Sequence, residues 1–189
     1  RSTTVTGVQT CALPIYMNVF ISGGAKNGKS SFAQELAAGL AKKDGLPLYY
    51  VATMIAGDDE DRLRIKRHIE DRDGLGFITI EEPYRTAPLA QMYEGVFLLD
   101  SCTALLANNM FRDGEYFEDA AEDTAKDLVS FARASGNVVF VSDFIYSEAL
   151  RPEEYTENYR MGLALCDRAL AEICDEVYEV ICKIPRRVK

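Results

Sequence analysis

Short apolar runs alternate with longer segments of helical period along most of the chain. Apolar or β-rich runs predict strands at 17–22, 46–53, 76–81, 95–99, 137–142 and 176–181. Helical spacing predicts helices at 30–43, 58–73, 102–111, 115–134 and 153–174. Strands that alternate with helices are typical of an α/β fold. The pattern therefore predicts a mostly parallel sheet that is covered by helices on both faces.

A glycine-rich loop follows the first predicted strand and precedes the first predicted helix. It matches the pattern GxxxxGK[ST] in full, with Gly23, Gly24, Ala25, Lys26, Asn27, Gly28, Lys29 and Ser30. Glycines let the backbone fold closely around phosphate, and the helix that follows adds its positive N-terminal end. We expect Lys29 to reach the β- and γ-phosphates and Ser30 to bind Mg²⁺. The alternative is a glycine-rich turn with a chance lysine, which the strand and helix on either side disfavour.

Polar residues stand at the ends of four predicted strands: Ser22, Thr53, Asp100 and Ser142. Ligands of open α/β sheets bind beyond the carboxyl ends of the strands, so one crevice could gather these residues. Asp100 is a candidate carboxylate for holding Mg²⁺. It could equally cap the next helix through the N–H groups of Thr103 or Ala104, and position alone supports both interpretations evenly.

The chain has one histidine, His68, on the charged helix predicted at 58–73. Arg64, His68 and Arg72 are spaced by four and would share one helix face. Neutral imidazole is a competent nucleophile at phosphorus, and arginines could stabilise charge on phosphoryl oxygens. The residues alone favour the plainer interpretation, an exposed helix with ordinary ion pairs to Asp61 and Asp71.

Composition narrows the possible classes of protein. The 189 residues have a net charge of −9 and no basic stripe, which argues against a nucleic-acid partner. No apolar run approaches the ~20 residues that span a bilayer. The cysteines form no CxxC pair, so we expect reduced thiols of a cytoplasmic protein rather than a zinc site.

The first sixteen residues differ in character from the rest. They read RSTTVTGVQTCALPIY, without hydrophobic periodicity and without the basic start and apolar segment of a secretory signal. They resemble translated read-through of a sequencing adapter. We therefore expect residues 1–16 to be an extraneous leader and residues 17–189 to form a single domain.

Five segments carry a resemblance to a known family. They are FISGGAKNGKS at 20–30, YYVATM at 49–54, RIKRHIEDR at 64–72, GFITIEE at 76–82 and LLDSCTALLANNMF at 98–111. From residue 17 onward the chain resembles the bifunctional adenosylcobinamide kinase / adenosylcobinamide-phosphate guanylyltransferase family of cobalamin assembly. The phosphate loop is shared by many families, whereas the segment around His68, followed by Thr79 and Glu81, is much more specific.

The resemblance implies a RecA-like P-loop fold, a homotrimer and two reactions. The first phosphorylates the side-chain hydroxyl of the corrinoid substrate, and the second transfers GMP from GTP through a covalent intermediate on His68. ATP, GTP and Mg²⁺ are the implied small molecules, with Lys29 catalytic and Ser30 and Asp100 as metal ligands. The implied nucleotide contacts are residues 23–30, Ala52, Thr53, Met54, Ile69, Glu70, Asp71, Arg72, Glu81 and Asp100.

The chain departs from the family pattern in three places. Asp100 stands where Glu is usual, and an Asn usual in the last helix is replaced near Asp167. The late strand ends in Ser142-Asp143-Phe144-Ile145-Tyr146, where Asn-Glu and a glycine-rich loop are usual. Two alternatives stay open: a P-loop kinase or nucleotidyltransferase for another small molecule, and a nucleotide-binding regulator without catalysis.

Overall fold

The computed structural model describes residues 16–145 and 154–189. The helices are α1 (Lys29–Asp44), α2 (Asp59–Asp71), α3 (Leu89–Met92), α4 (Cys102–Met110), α5 (Ala120–Ser135) and α6 (Glu154–Ile173). The strands are β1 (Val19–Gly23), β2 (Leu48–Ala52), β3 (Ile78–Glu81), β4 (Val96–Asp100), β5 (Phe111–Arg112), β6 (Glu115–Tyr116), β7 (Val138–Asp143), β8 (Glu176–Ile181) and β9 (Ile184–Arg187). Residues 1–15 of the expected leader lie outside this description, and Tyr16 lies against Gly136.

Seven strands form one sheet in the order β3-β2-β4-β7-β1-β8-β9. All neighbours are parallel except β8 and β9, which are antiparallel. The predicted α/β fold with a mostly parallel sheet is confirmed. The strand that precedes the glycine loop, β1, lies between β7 and β8, and β4 is separated from β1 by β7. The carboxyl ends of β1, β7, β4 and β2 therefore line one edge.

Two hydrophobic cores lie on opposite faces of the sheet. On one face, α1 packs its alanines against alternate strand residues such as Ile21 and Leu98. On the other face, α4, α5 and α6 pack against Phe20, Phe97 and Phe140. Burial of one such aromatic or branched side chain stabilises the fold by about 1.5–3 kcal/mol. The central strands are apolar on both faces because both faces are covered.

The helix predicted to begin at residue 115 begins at Ala120 instead. Residues Glu115–Tyr116 pair with Phe111–Arg112 as a short antiparallel hairpin. The turn between them is Asp113-Gly114, and both residues have positive φ (57° and 81°). Asp-Gly is a strong signal for a hairpin turn, and here it outweighs the helical spacing of the acidic residues.

Besides the strands β5 and β6 of this hairpin, two further elements were not predicted from the hydrophobic pattern. The helix α3 has a single turn, which is too short to show a period. The strand β9 is exposed at every residue, so it has no apolar face to mark it. It pairs with β8 through a turn at Cys182 and Lys183, where φ is 51° and 66°.

The thiols behave as expected within the described residues. Cys102, Cys166 and Cys174 are buried, Cys182 is exposed, and none of the four forms a disulfide. Among the described helices, none combines the length and the apolar composition needed to cross a membrane.

Candidate functional site

The glycine loop joins the end of β1 to the start of α1 at the carboxyl edge of the sheet. Gly23 needs to be glycine, because a Cβ there would lie 2.5 Å from the carbonyl oxygen of Val180. Gly28 has a φ of 86° and directly precedes the helix. Within the described chain, no side chain caps α1 and its first turn has no acidic residue. Its first N–H groups can therefore bind an anion.

Lys29 is held inside this loop with its ammonium almost buried. Its Nζ donates to the carbonyl oxygen of Gly24 at 2.8 Å and to Oδ1 of Asp143 at 2.7 Å. The Lys29 side chain is 6% exposed and that of Asp143 is 23% exposed. Asp143 ends β7, the strand directly beside β1. The ammonium is therefore fixed between the loop and the neighbouring strand.

The β8–β9 turn supports the loop from the other side. The Lys183 N–H donates to the carbonyl oxygen of Asn27 at 3.0 Å. The Asn27 side chain donates to the carbonyl oxygen of Val180 at 3.3 Å. Contacts from β7 on one side and from β8 on the other thus determine the shape of the loop.

A second cluster forms around His68 on α2. Its Nδ1 lies 4.0 Å from Oδ2 of Asp100, at the end of β4. The same Oδ2 accepts a hydrogen bond from the Tyr50 hydroxyl at 3.2 Å. His68 is 25% exposed, Asp100 is 10% exposed, and the Nδ1 atom is buried without a hydrogen bond to the described residues. The imidazole thus has one nitrogen aimed at a carboxylate that lies just beyond hydrogen-bond distance.

Arg72 is a buried residue at the end of α2 rather than part of an exposed cationic face. Its guanidinium lies 3.8 Å from the centre of the Tyr50 ring. It donates to the carbonyl oxygen of His68 at 2.6 Å and to Oγ1 of Thr79 at 3.2 Å. These contacts fix the end of α2 on β2 and β3. The side chains of Arg64 and Asp71 lie outside what the structure describes.

The suggestion that Asp100 caps the following helix is wrong. Ser101 is the N-cap of α4, and its side chain accepts from the N–H of Ala104 at 3.2 Å. Thr53 binds the same residue, since its Oγ1 donates to the Ser101 carbonyl and accepts from the Ser101 N–H, each at 2.8 Å. The Asp100 carboxylate is therefore available for Tyr50 and His68.

The predicted crevice of strand ends is only partly open. The four strands are neighbours, but the side chains of Thr53 and Ser142 are fully buried. By contrast, Ala52, Glu81 and Asp100 stand side by side, because Ala52 is in register with Glu81 on β3 and with Asp100 on β4. Glu81 is exposed, as are Ile69 and Glu70 on α2. The sheet thus brings most of the predicted contacts to one edge, and their roles in nucleotide binding stay predictions.

Tyr50 and Asp143 are site residues that were not predicted from the sequence. Tyr50 lies within an apolar strand, and nothing in the sequence distinguishes its hydroxyl from that of a tyrosine that only packs in the core. Asp143 directly follows the apolar run predicted as a strand at 137–142, and a carboxylate at a strand end was the available signal.

The sequence matches a family model and known relatives along most of its length. The family model described as cobinamide kinase / cobinamide phosphate guanyltransferase matches residues 19–188. The chain is 30% identical over 176 residues to the bifunctional adenosylcobalamin biosynthesis protein CobP of Pseudomonas aeruginosa, covering 92% of this chain and 98% of the relative. It is 26% identical over 189 residues to the bifunctional adenosylcobalamin biosynthesis protein CobU of Salmonella typhimurium, covering 92% of this chain and 100% of the relative. These matches confirm the resemblance noted in the five sequence segments.

A solved structure supports the fold independently. It is an ATPase domain that superimposes with a TM-score of 0.51 at 11% identity, covering 87% of this chain and 69% of that domain. At this identity the likeness supports the P-loop fold alone.

Proposed function

We propose the following function for this chain, which belongs to the cobinamide kinase / cobinamide phosphate guanyltransferase family. The protein phosphorylates the side-chain hydroxyl of adenosylcobinamide and then transfers GMP from GTP to the resulting phosphate. The observation that supports both steps best is that the phosphate loop and the His68–Asp100 pair share one edge of the sheet. Two strand spacings separate β1 from β4, or roughly 10 Å, which is within the reach of one triphosphate.

The phosphate loop would bind the triphosphate in both reactions. Backbone N–H groups at the start of α1 face the anion, and the Lys29 ammonium lies beside them. Phosphoryl transfer depends mostly on positioning and charge stabilisation, which this arrangement supplies.

Mg²⁺ fits the oxygen donors that are available at this edge. Ser30 lies in the first turn of α1, and Asp100 offers a carboxylate of which only Oδ2 has a hydrogen bond within the described residues. Mg²⁺ in such sites needs only one or two protein ligands, because substrate phosphates and water complete its shell. Ser30 and Asp100 would hold the ion, which would neutralise phosphate charge during transfer.

His68 would act as the nucleophile of the guanylyl step. One imidazole nitrogen attacks the α-phosphorus of GTP, a phosphorus–nitrogen bond forms, and pyrophosphate leaves. A phosphate oxygen of the corrinoid substrate then attacks the same phosphorus, and the bond to His68 breaks. Asp100, 4.0 Å from Nδ1, would stabilise the positive charge that develops on the ring.

The proposal is tested by incubating the purified protein with GTP and Mg²⁺ and measuring its intact mass. We expect a mass gain of one GMP, and none with a GTP analogue whose α,β-bridge is a methylene group. Release of the label by adenosylcobinamide phosphate would establish the acceptor. Labelling without release would favour a nucleotidyltransferase for another small molecule. The absence of both labelling and turnover would favour the non-catalytic regulator.

We further propose ATP or GTP as phosphoryl donor, a homotrimer and a cytoplasmic location. The family resemblance supports the nucleotide donors and the homotrimer, and the free thiols support the cytoplasmic location. Light scattering on the purified protein measures the mass of the assembly, and a monomer at micromolar concentration would contradict the trimer.

A further inference from the structure

We propose that Asp143 is a positioning residue for Lys29 in the phosphate loop, an inference that rests on the proposed function. Asp143 Oδ1 lies 2.7 Å from Lys29 Nζ, and Gly24 accepts a second hydrogen bond from the same nitrogen. An ammonium group has three N–H donors in a fixed tetrahedral arrangement. Two donors are used by the described chain, so the direction of the third is determined and is left for a phosphate oxygen.

The position of Asp143 is itself fixed by backbone contacts on both sides. The Asp143 N–H donates to Oγ1 of Thr103 at 2.9 Å. The next N–H, that of Phe144, donates to the carbonyl oxygen of Gly23 at 2.9 Å. Gly23 is also the register partner of Asp143 across β1 and β7. The backbone that carries the carboxylate is therefore fixed beside Gly23, the first residue of the loop whose lysine the carboxylate contacts.

Thr103 is in turn held from the helical layer. The Tyr159 hydroxyl on α6 donates to the Thr103 carbonyl at 2.9 Å. Burial, with smaller contributions from the charges of Asp143 and Asp167, raises the pKa of the Tyr159 hydroxyl, which moves its ionisation still further from neutral pH. Tyr159 on α6 thus holds Thr103 on α4, and Thr103 holds the backbone of Asp143.

The burial of the pair explains why the lysine needs this partner. The Lys29 side chain is only 6% exposed, and a buried charge without an opposite charge is unfavourable. Without the carboxylate, the ammonium would keep only the Gly24 carbonyl and could rotate away from the phosphate position. Asp143 therefore acts on the reaction through Lys29.

A different role for Asp143 makes a different prediction. A carboxylate beside the terminal phosphate could instead accept the proton of the attacking hydroxyl. A general base would matter whether or not Lys29 is present. A residue that positions Lys29 has nothing to position once the lysine is removed.

A double-mutant cycle of Asp143→Asn and Lys29→Ala separates these roles. The rate of triphosphate-dependent phosphorylation of adenosylcobinamide is measured for both single variants and for the double variant. We expect Asp143→Asn to lower kcat about tenfold with less than a threefold change in the KM for adenosylcobinamide. In the Lys29→Ala background we expect less than a twofold further loss. Asp143→Glu keeps the charge and should recover part of the rate.

The control is Asp123→Asn, the same chemical change on the exposed face of α5, where the Asp123 carboxylate forms a surface ion pair with Lys126. It should match the wild type. An Asp143→Asn variant with wild-type kcat would overturn the proposal. So would an equal loss in the presence and absence of Lys29, which is the result expected for a general base.

The Kd for GTP in the presence of Mg²⁺ is also measured for the wild type, both single variants and the double variant. This measurement does not require the protein to be catalytically active. Asp143→Asn removes a negative charge near the phosphates in both backgrounds, but it also misplaces the lysine when Lys29 is present. The substitution should therefore strengthen GTP binding at least threefold more in the Lys29→Ala background than in the wild type. Equal effects in both backgrounds would overturn the proposal. If the Kd values show this difference between the two backgrounds but the wild type has no catalytic activity, the proposed function alone would be contradicted.

Discussion

The Nδ1 atom of His68 lies 4.0 Å from Oδ2 of Asp100, and the Tyr50 hydroxyl donates to that same oxygen. Three elements meet in this contact, because α2 provides the histidine, β4 the carboxylate and β2 the tyrosine. The ring of Tyr50 also supports Arg72, which binds the backbone of His68. The position of the histidine is thus determined by the sheet beneath it as well as by its own helix.

The first prediction concerns the covalent step. We expect His68→Ala to abolish GMP labelling of the protein while much of the kinase activity remains, since phosphoryl transfer needs no protein nucleophile. The label on the wild type should be acid-labile and base-stable, as a phosphorus–nitrogen bond is. His68 is the single histidine of the chain, so no other imidazole can replace it. Labelling of the variant, or survival of the label in acid, would rule out the histidine mechanism.

The second prediction separates the two contacts of Asp100. Asp100→Asn removes the negative charge beside His68, and we expect the rate of GMP labelling to fall about 10- to 100-fold. Tyr50→Phe removes only one neutral hydrogen bond to the carboxylate, and we expect a loss of less than about tenfold. Both rates are measured by quenched time courses with radiolabelled GTP. Equal losses in the two variants would contradict a charge-stabilising role for Asp100.

The third prediction concerns Lys29. Replacement by Ala removes the cation that we expect to contact the terminal phosphates, and triphosphate turnover should fall by about 100-fold or more. Lys43→Ala is the control, because Lys43 is an exposed lysine in the last turn of α1, away from the loop. Steady-state phosphate or pyrophosphate release measures both variants. Unchanged turnover in Lys29→Ala would contradict the assignment of the phosphate loop.

The fourth prediction concerns stability at alkaline pH. Burial, together with the nearby Asp167 charge, raises the pKa of the Cys166 thiol to about 12, and burial with Asp175 nearby raises that of Cys174 to about 12. Both thiols ionise near pH 9 in the unfolded chain, so the unfolded state loses protons first. Their contribution to stability is complete below pH 9 and is lost as the pH rises from 9 towards 12.

The free energy of unfolding should therefore fall above pH 9 by up to about 1.4 kcal/mol per pH unit for each buried thiol. Urea titrations between pH 8 and pH 10.5 measure this slope. Cys174→Ala should reduce the slope even if it lowers stability overall. The control Cys182→Ala changes an exposed thiol and should leave the slope unaltered. A slope that is the same in all three proteins would contradict the raised pKa values.

Local patterns in the sequence determined much of this protein. The apolar runs predicted the strands β1, β2, β4 and β7, since a strand that is covered on both faces needs no polar alternation. The spacing from Gly23 to Ser30 predicted the phosphate loop, because a positive φ such as that of Gly28 selects glycine locally. The segment around His68 carried the resemblance to the family that the comparisons support.

Only the tertiary structure decided which residues meet. The order of the strands sets Asp143 beside Lys29 and Asp100 beside Tyr50, and neither pair is close in sequence. The spacing of Arg72 suggested an exposed cation, yet packing on the Tyr50 ring buries it. Hydrophobic periodicity predicts which face of a helix or strand is buried, but it does not predict which residues pack against that face. The partners of a polar group depend on which strands become neighbours in the sheet. Lys29 and Asp143 are 114 residues apart in the sequence and meet only because β1 and β7 are adjacent.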